Sequence, residues 1–218
     1  DALSRLTAVT DSIAQTTKYT YDKLGNTTML TYADGQQMKY RYNEIGQLLT
    51  QTDPLGQIET FAYDKAGNLI RSTDRKGQTR TYTYNNRGFL TEDTASDGTV
   101  SYVHDAAGRR LLMNDAMGIT TYYYAAGGEL SKVRYPDGAA LTMDYEARGL
   151  RSEQSFEMRD FKMNLHQEYM VPIEGVKSAR ITDGNGSELG AYQYSYQSNK
   201  RLSSISNGTG QTQTYSYD

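Results

Sequence analysis

The residues that could do chemistry in this 218-residue chain are few, and most of them repeat. Two histidines, His104 and His166, and no cysteine leave no ligand cluster for a metal and no nucleophile–base pair. Paired carboxylates flanking a sugar would be the mark of a glycosidase. Yet Asp22, Asp64 and Asp105 return at one place in successive stretches, each three residues before a glycine. A catalytic pair is unique in a chain, whereas an acid that recurs with every repeat serves the repeat. Asp183-Gly184-Asn185-Gly186-Ser187-Glu188 has some features of a calcium loop, but its glycine and closing Glu are misplaced, and it reads as a hairpin tip. Gly127-Gly128 and Gly208-Thr209-Gly210 have no helical pattern behind them, so neither makes a phosphate cradle. Arg109-Arg110 reads as a solvated pair at a strand start, and His104 and His166 as stacking or surface residues. Asn26-Thr27-Thr28, Asn185-Gly186-Ser187 and Asn207-Gly208-Thr209 are glycan-acceptor strings of a kind that arises readily by chance. No catalytic, cofactor-binding or metal-binding residue is predicted.

The elements that carry these residues explain the repetition. A tyrosine returns every 20 or 21 residues: Tyr21, Tyr42, Tyr63, Tyr84, then His104 in the same slot, then Tyr124 and Tyr145. Tyr196 and Tyr217 resume the series after a gap. Four residues after each of the first seven anchors stands a glycine: Gly25, Gly46, Gly67, Gly88, Gly108, Gly128 and Gly149. Ten residues further on, a second glycine follows in phase, at Gly35, Gly56, Gly77, Gly98, Gly118 and Gly138, amid Asp and Pro. From that second glycine to the next anchor takes seven residues, except for six at Gly98 and Gly118. A period of this length is the signature of a stacked-repeat architecture.

Each unit therefore holds two turns and two segments of strand length. Gly supplies the positive backbone angle of a tight turn, and Asp or Asn caps it through its own side chain. Between turns the residues are Thr, Tyr, Val, Ile, Leu and Met, which favour a pleated, half-buried surface. Tyrosines fall two apart, as Tyr19/Tyr21, Tyr40/Tyr42, Tyr82/Tyr84 and Tyr122/Tyr124, which places them on one face of a strand as an aromatic stripe. The spacing predicts an all-β chain of hairpins in series, with at least fourteen strands.

Composition sets the limits. Apolar residues make up 37% and mean hydropathy is -0.74, too polar for a large conventional core, so the 20 tyrosines must supply much of the burial. A net charge of -3 excludes a phosphate-tracking surface, and with it a nucleic-acid partner. No run of residues is apolar over the length of a membrane span, and no signal-peptide pattern opens the chain. Both ends fall mid-repeat, which is expected of a piece of a longer protein. The array reads as one domain over 1–218, regular over 1–149 and 190–218 and irregular over 150–189. Two readings of the irregular stretch stand: one unit with a long insertion, or, as we favour, two degraded units with Tyr169 as a worn anchor and Gly175 as its turn.

Stretches such as Tyr19-Thr20-Tyr21-Asp22-Lys23-Leu24-Gly25-Asn26 and Thr52-Asp53-Pro54-Leu55-Gly56-Gln57 resemble the YD repeat of Rhs proteins. The same repeat occurs in bacterial toxin-complex proteins, wall-associated contact-dependent toxins and animal teneurins. The resemblance implies hairpins added side by side into one continuous, spiralling antiparallel sheet that forms a hollow shell. It implies a secreted or cell-surface protein whose partners are the rest of the shell and an enclosed C-terminal toxin polypeptide. A carbohydrate- or receptor-binding module at the cell surface, with surface glycans as partners, is the alternative. The aspartyl autoprotease of many members is not matched: Asp53-Pro54-Leu55-Gly56 has the local string, but it stands in phase with the other hairpin turns.

Overall fold

The computed structural model describes residues 1–170 and 175–217. No helix occurs among them, and twenty strands join one antiparallel sheet. The chain divides into two units, Asp1–Tyr102 and Val103–Asp218. The first holds β1 (Ala8–Thr10), β2 (Thr16–Tyr21), β3 (Thr27–Thr31), β4 (Gln37–Tyr42), β5 (Leu48–Thr52), β6 (Ile58–Tyr63), β7 (Leu69–Thr73), β8 (Thr79–Tyr84) and β9 (Leu90–Ala95). The division falls within β10 (Gly98–His104). The second holds β11 (Arg110–Asp115), β12 (Gly118–Tyr124), β13 (Leu130–Arg134), β14 (Ala140–Tyr145) and β15 (Arg151–Met158). It continues with β16 (Phe161–Tyr169), β17 (Val176–Asp183), β18 (Glu188–Tyr196), β19 (Leu202–Asn207) and β20 (Thr212–Thr214). Within each unit, a strand pairs with the next one along the chain.

The two-residue period of side chains sets the faces. In β4, Met38, Tyr40 and Tyr42 are covered while Lys39 and Arg41 are exposed. In β12, Thr120, Tyr122 and Tyr124 are covered while Ile119 and Tyr123 are exposed. The most buried apolar strand residues lie on this tyrosine face. Met38 and Met143 stand two before a tyrosine in their strands, and Val133 and Ala179 stand directly across from Tyr122 and Tyr192. No described side chain is fully buried. The stripe thus acts through half-buried rings, and the backbone ladders bear the rest of the stabilisation.

Every pairing that ends on an anchor tyrosine carries a bulge. Thr20 opposes Met29 but Tyr21 opposes Thr27, which leaves Thr28 as the extra residue. The same shift occurs at Tyr42, Tyr63, Tyr84, Tyr124 and Tyr145. A bulge bends its strand and adds local twist, so the repeat renews that twist once per hairpin.

Two turns differ from the expectation. Gly98 and Gly118 are the first residues of β10 and β12, paired across from Ala95 and Asp115, and the turns themselves are Ser96–Asp97 and Ala116–Met117. Their turns have two residues between the paired ends, where the Asp53–Gln57 turn has three. The missing residue draws the glycine into the ladder, which is why these arms are one residue shorter.

The stretch 150–189 forms four strands, in two hairpins. β15 and β16 meet at the two-residue turn Arg159–Asp160, and β17 and β18 meet at Asp183–Ser187. Tyr169 closes β16. Residues 171–174, between Met170 and Gly175, and Asp218 lie outside the described residues.

Candidate functional site

The turn after each anchor is built by its acid. The Asp64 N–H donates to the Asn68 carbonyl at 2.9 Å, and the Gly67 N–H donates to the Asp64 carbonyl at 3.1 Å. Asp64 Oδ1 accepts from the Ala66 and Asn68 N–H groups, both at 2.9 Å, and Oδ2 accepts from Asn68 Nδ2 at 2.8 Å. Closing this loop requires a positive φ at Gly67, which is +91°. Asp22 and Asp105 repeat the arrangement, and Asn43, Asn85 and Asn207 make the same two backbone contacts without a charge. These bonds hold the carboxyls of Asp22, Asp64 and Asp105 below the ordinary carboxylate range; the largest cause is the side-chain bond from Asn26, Asn68 and Arg109 respectively. The recurring acids are occupied as turn caps, each fixed to its own loop.

Most of the tyrosines that precede these turns reach back to the unit before. The Tyr84 hydroxyl donates to the Leu69 carbonyl at 2.8 Å, Tyr42 to Thr27 at 3.0 Å and Tyr145 to Leu130 at 2.8 Å. Tyr21 donates to Leu6 at 2.6 Å and Tyr124 to Arg110 at 2.8 Å. Each of these carbonyls lies two residues past the turn residue of the preceding unit. Tyr169 and Tyr196 bond Arg151 at 2.8 Å and Val176 at 3.0 Å. Burial pushes the phenols of Tyr42, Tyr84 and Tyr196 above their ordinary value. Tyr63 closes β6 opposite Leu69, His104 closes β10 and is half-buried, and Tyr217 lies past β20 with 45% of its surface exposed.

A second contact, which the sequence reading missed, comes from the residue after the turn position. Arg109 lies over the Tyr124 ring at 4.7 Å while its Nε bonds Asp105 Oδ2 at 2.7 Å. Arg5 covers Tyr21 at 4.7 Å and Arg201 covers Tyr217 at 5.2 Å in the same way. Where that residue is an amide it meets the next turn instead, as Gln47 Nε2 donates to the Gly67 carbonyl at 3.3 Å. Arg109 is therefore half of a clamp between units, and Arg110 is half-covered, 5.8 Å from the Tyr122 ring; neither is the solvated pair expected. The available signal was positional: a long polar side chain follows the turn residue at Arg5, Asn26, Gln47, Asn68, Arg109 and Arg201.

An ion pair with a covered carboxylate also stands outside the repeat. Arg80 grips both carboxylate oxygens of Asp93, which is 7% exposed and stands across from Tyr82 and Val100 on the tyrosine face. Pairing to Asp93 raises the Arg80 guanidinium further above its already high value. Both groups are bound to each other. Among the described residues, no cluster of three or more His, Cys, Asp or Glu could hold a metal. No helix among them is long and apolar enough to cross a membrane.

The arrangement is suited to joining one hairpin to the next. In a TcdB2–TccC3 crystal structure lacking the hypervariable C-terminal region, the similarity covers 92% of this chain and 15% of that one, at 13% identity and a TM-score of 0.60. This likeness establishes the fold, and the chain spans a small part of the protein it matches. The Photorhabdus luminescens Tc holotoxin pore aligns over 94% of this chain and 17% of that one, at 14% identity with a TM-score of 0.40, too low to carry an argument. No curated protein sequence matches. The family model of the teneurin YD-shell matches residues 1–133, well over half of the chain. Its tyrosine-anchored hairpins, their capped turns and that match place this chain in the teneurin YD-shell family.

Proposed function

We propose that the chain is a wall segment of a shell that encloses a toxin polypeptide, and that it works by enclosure and not by catalysis. The observation that carries this reading is the clamp: the hydroxyls of Tyr21, Tyr42, Tyr84, Tyr124, Tyr145 and Tyr196 each tie their hairpin to the one before. A link of that kind extends a sheet hairpin by hairpin and creates no unique polar centre. Membership of a shell family supports the structural role, and the matched TcdB2–TccC3 structure is of a form without its hypervariable C-terminal region. Such a wall belongs to a secreted or cell-surface particle, with the remaining shell repeats and the enclosed chain as its partners.

The test is electron cryomicroscopy and limited proteolysis of the full-length protein that carries this sequence. A closed shell whose interior polypeptide resists protease until the wall is opened is the expected result. An open sheet with no enclosed chain, together with specific retention on a glycan array, would replace enclosure with surface carbohydrate binding.

A further inference from the structure

The apolar depression in the second unit departs from the repeat. A cavity of about 460 Å³ opens where the turns of three successive hairpins converge, β11/β12, β13/β14 and β15/β16. Its walls are Met113, Met117, Tyr135, Pro136, Phe156 and Met158. Its floor includes Thr120 and Ala139, 4% and 3% exposed, which are among the best-buried residues of the chain. Gly118 sits against Pro136, so closely that a Cβ there would come within 3.0 Å of the proline ring. In the first unit, the depression at the turns around Asp74 and Asp97 is lined mainly by polar residues, among them Glu59, Ser72, Gln78 and Arg80, with Tyr82 and Ala95 beside them. The scaffold is the same and only the lining has changed. Repeated features serve the wall, so a local change of lining needs its own reason.

We infer that this cavity docks a bulky apolar side chain of an extended polypeptide that carries a basic residue beside it. Three of the walls are methionines, whose unbranched, polarisable side chains adapt to aliphatic and aromatic guests alike. That suits a partner of variable sequence better than one small molecule. Met117 is 83% exposed and Met158 39%, so apolar surface faces water until something covers it. Two carboxylates, Asp115 and Asp137, stand in the cavity wall. Each uses Oδ1 to cap its own turn, on the Met117 and Ala139 N–H groups, and its charge remains to attract a cation on the guest. Arg159, which follows Met158 in the β15/β16 turn, does not line the cavity. The inference rests on the enclosure reading only for the source of the segment, which is then the enclosed chain.

The probe is a fluorescein-labelled Ser-Gly-Lys-Phe-Lys-Gly-Ser peptide, followed by anisotropy on the whole chain. Replacing both Lys by Glu should weaken binding about threefold or more, and replacing Phe by Ser about tenfold. Met117→Ser with Met158→Ser should cost about tenfold, and Met117→Ser alone, at a solvent-exposed site, about threefold with unchanged melting. Asp115→Asn with Asp137→Asn keeps both caps, as Asn85 does natively, and should abolish the preference for Lys over Glu. Equal binding of the Lys and Glu peptides, or full binding by folded Met117→Ser, overturns the inference. Because affinity is read in trans, it stands or falls separately from protease protection of an enclosed chain.

Discussion

The hydroxyl of Tyr84 donates to the carbonyl of Leu69 at 2.8 Å, so the last residue of β8 is bonded to the first residue of β7. Leu69 is also the residue that Tyr63 opposes across its bulge, where the ladder register shifts. One phenol therefore serves as the ladder bond that the bulge disturbs, and it does so from the next unit. Tyr84→Phe should keep the ring and lose the bond, costing about 1 kcal/mol. Tyr84→Ala should lose the half-buried ring as well, for a total of about 3 kcal/mol. Urea unfolding separates the two; equal midpoints for wild type and Tyr84→Ala would make the stripe decorative.

Burial raises the phenols of Tyr42, Tyr84 and Tyr196 in the folded chain. A group whose folded value is raised gives stability that is whole below its unfolded value, about 10, and is lost as pH climbs through the folded value. Melting temperature should therefore hold to about pH 9 and fall steeply above about pH 10, with Tyr84→Phe showing a shallower fall. Differential scanning calorimetry across that range decides it.

The turn acids act at the other end of the scale. Asp22, Asp64 and Asp105 are lowered, so their contribution is present above the unfolded value of about 4 and is lost as pH falls through the folded value. Asp64→Ala should lower the melting temperature at neutral pH, since the Ala66 and Asn68 N–H groups lose their acceptor. Asp64→Asn should cost little and flatten the acid limb, because Asn43 already caps its loop without a charge. Circular dichroism during acid titration is the measurement.

Backbone angle predicts opposite signs at equivalent turn positions. Gly67, at φ +91°, should lose about 1–2 kcal/mol as Val, whose Cβ is strained there and would also crowd Gln47 Nε2 at 3.4 Å. Lys200 holds the corresponding place with φ +67°, so Lys200→Gly should gain about 0.5–1 kcal/mol. Thermal melts of both variants test the pair together; destabilisation by Lys200→Gly would show that the turn is held by its side chain.

Asp93 is covered while its partner Arg80 keeps half its side chain in water. Asp93→Ala should therefore cost about 1–2 kcal/mol, less than a fully buried pair would lose. A double-mutant cycle with Arg80→Ala isolates the coupling; additivity would mean that the pair only fills space.

The sequence by itself determined the hairpins. Tyr at alternate positions gives a strand face, and Asp64 with Gly67 gives a turn, because both rest on contacts within a few residues. It also assigned the recurring acids to capping, because Asp22, Asp64 and Asp105 return with the turns. Tertiary structure decided what joins one hairpin to the next. Leu69 accepts from Tyr84 fifteen residues on, and Arg109 covers Tyr124, through registers that depend on a bulge. Asp93 gave no signal in the sequence, because an acid on a strand is inward or outward only once its partner strands are in place. Gly98 looked like any other turn glycine until the count of residues between paired ends drew it into β10. The apolar cavity was invisible for the same reason: Met117, Pro136 and Met158 are far apart in sequence, and only the stacking of three hairpins brings them to one place.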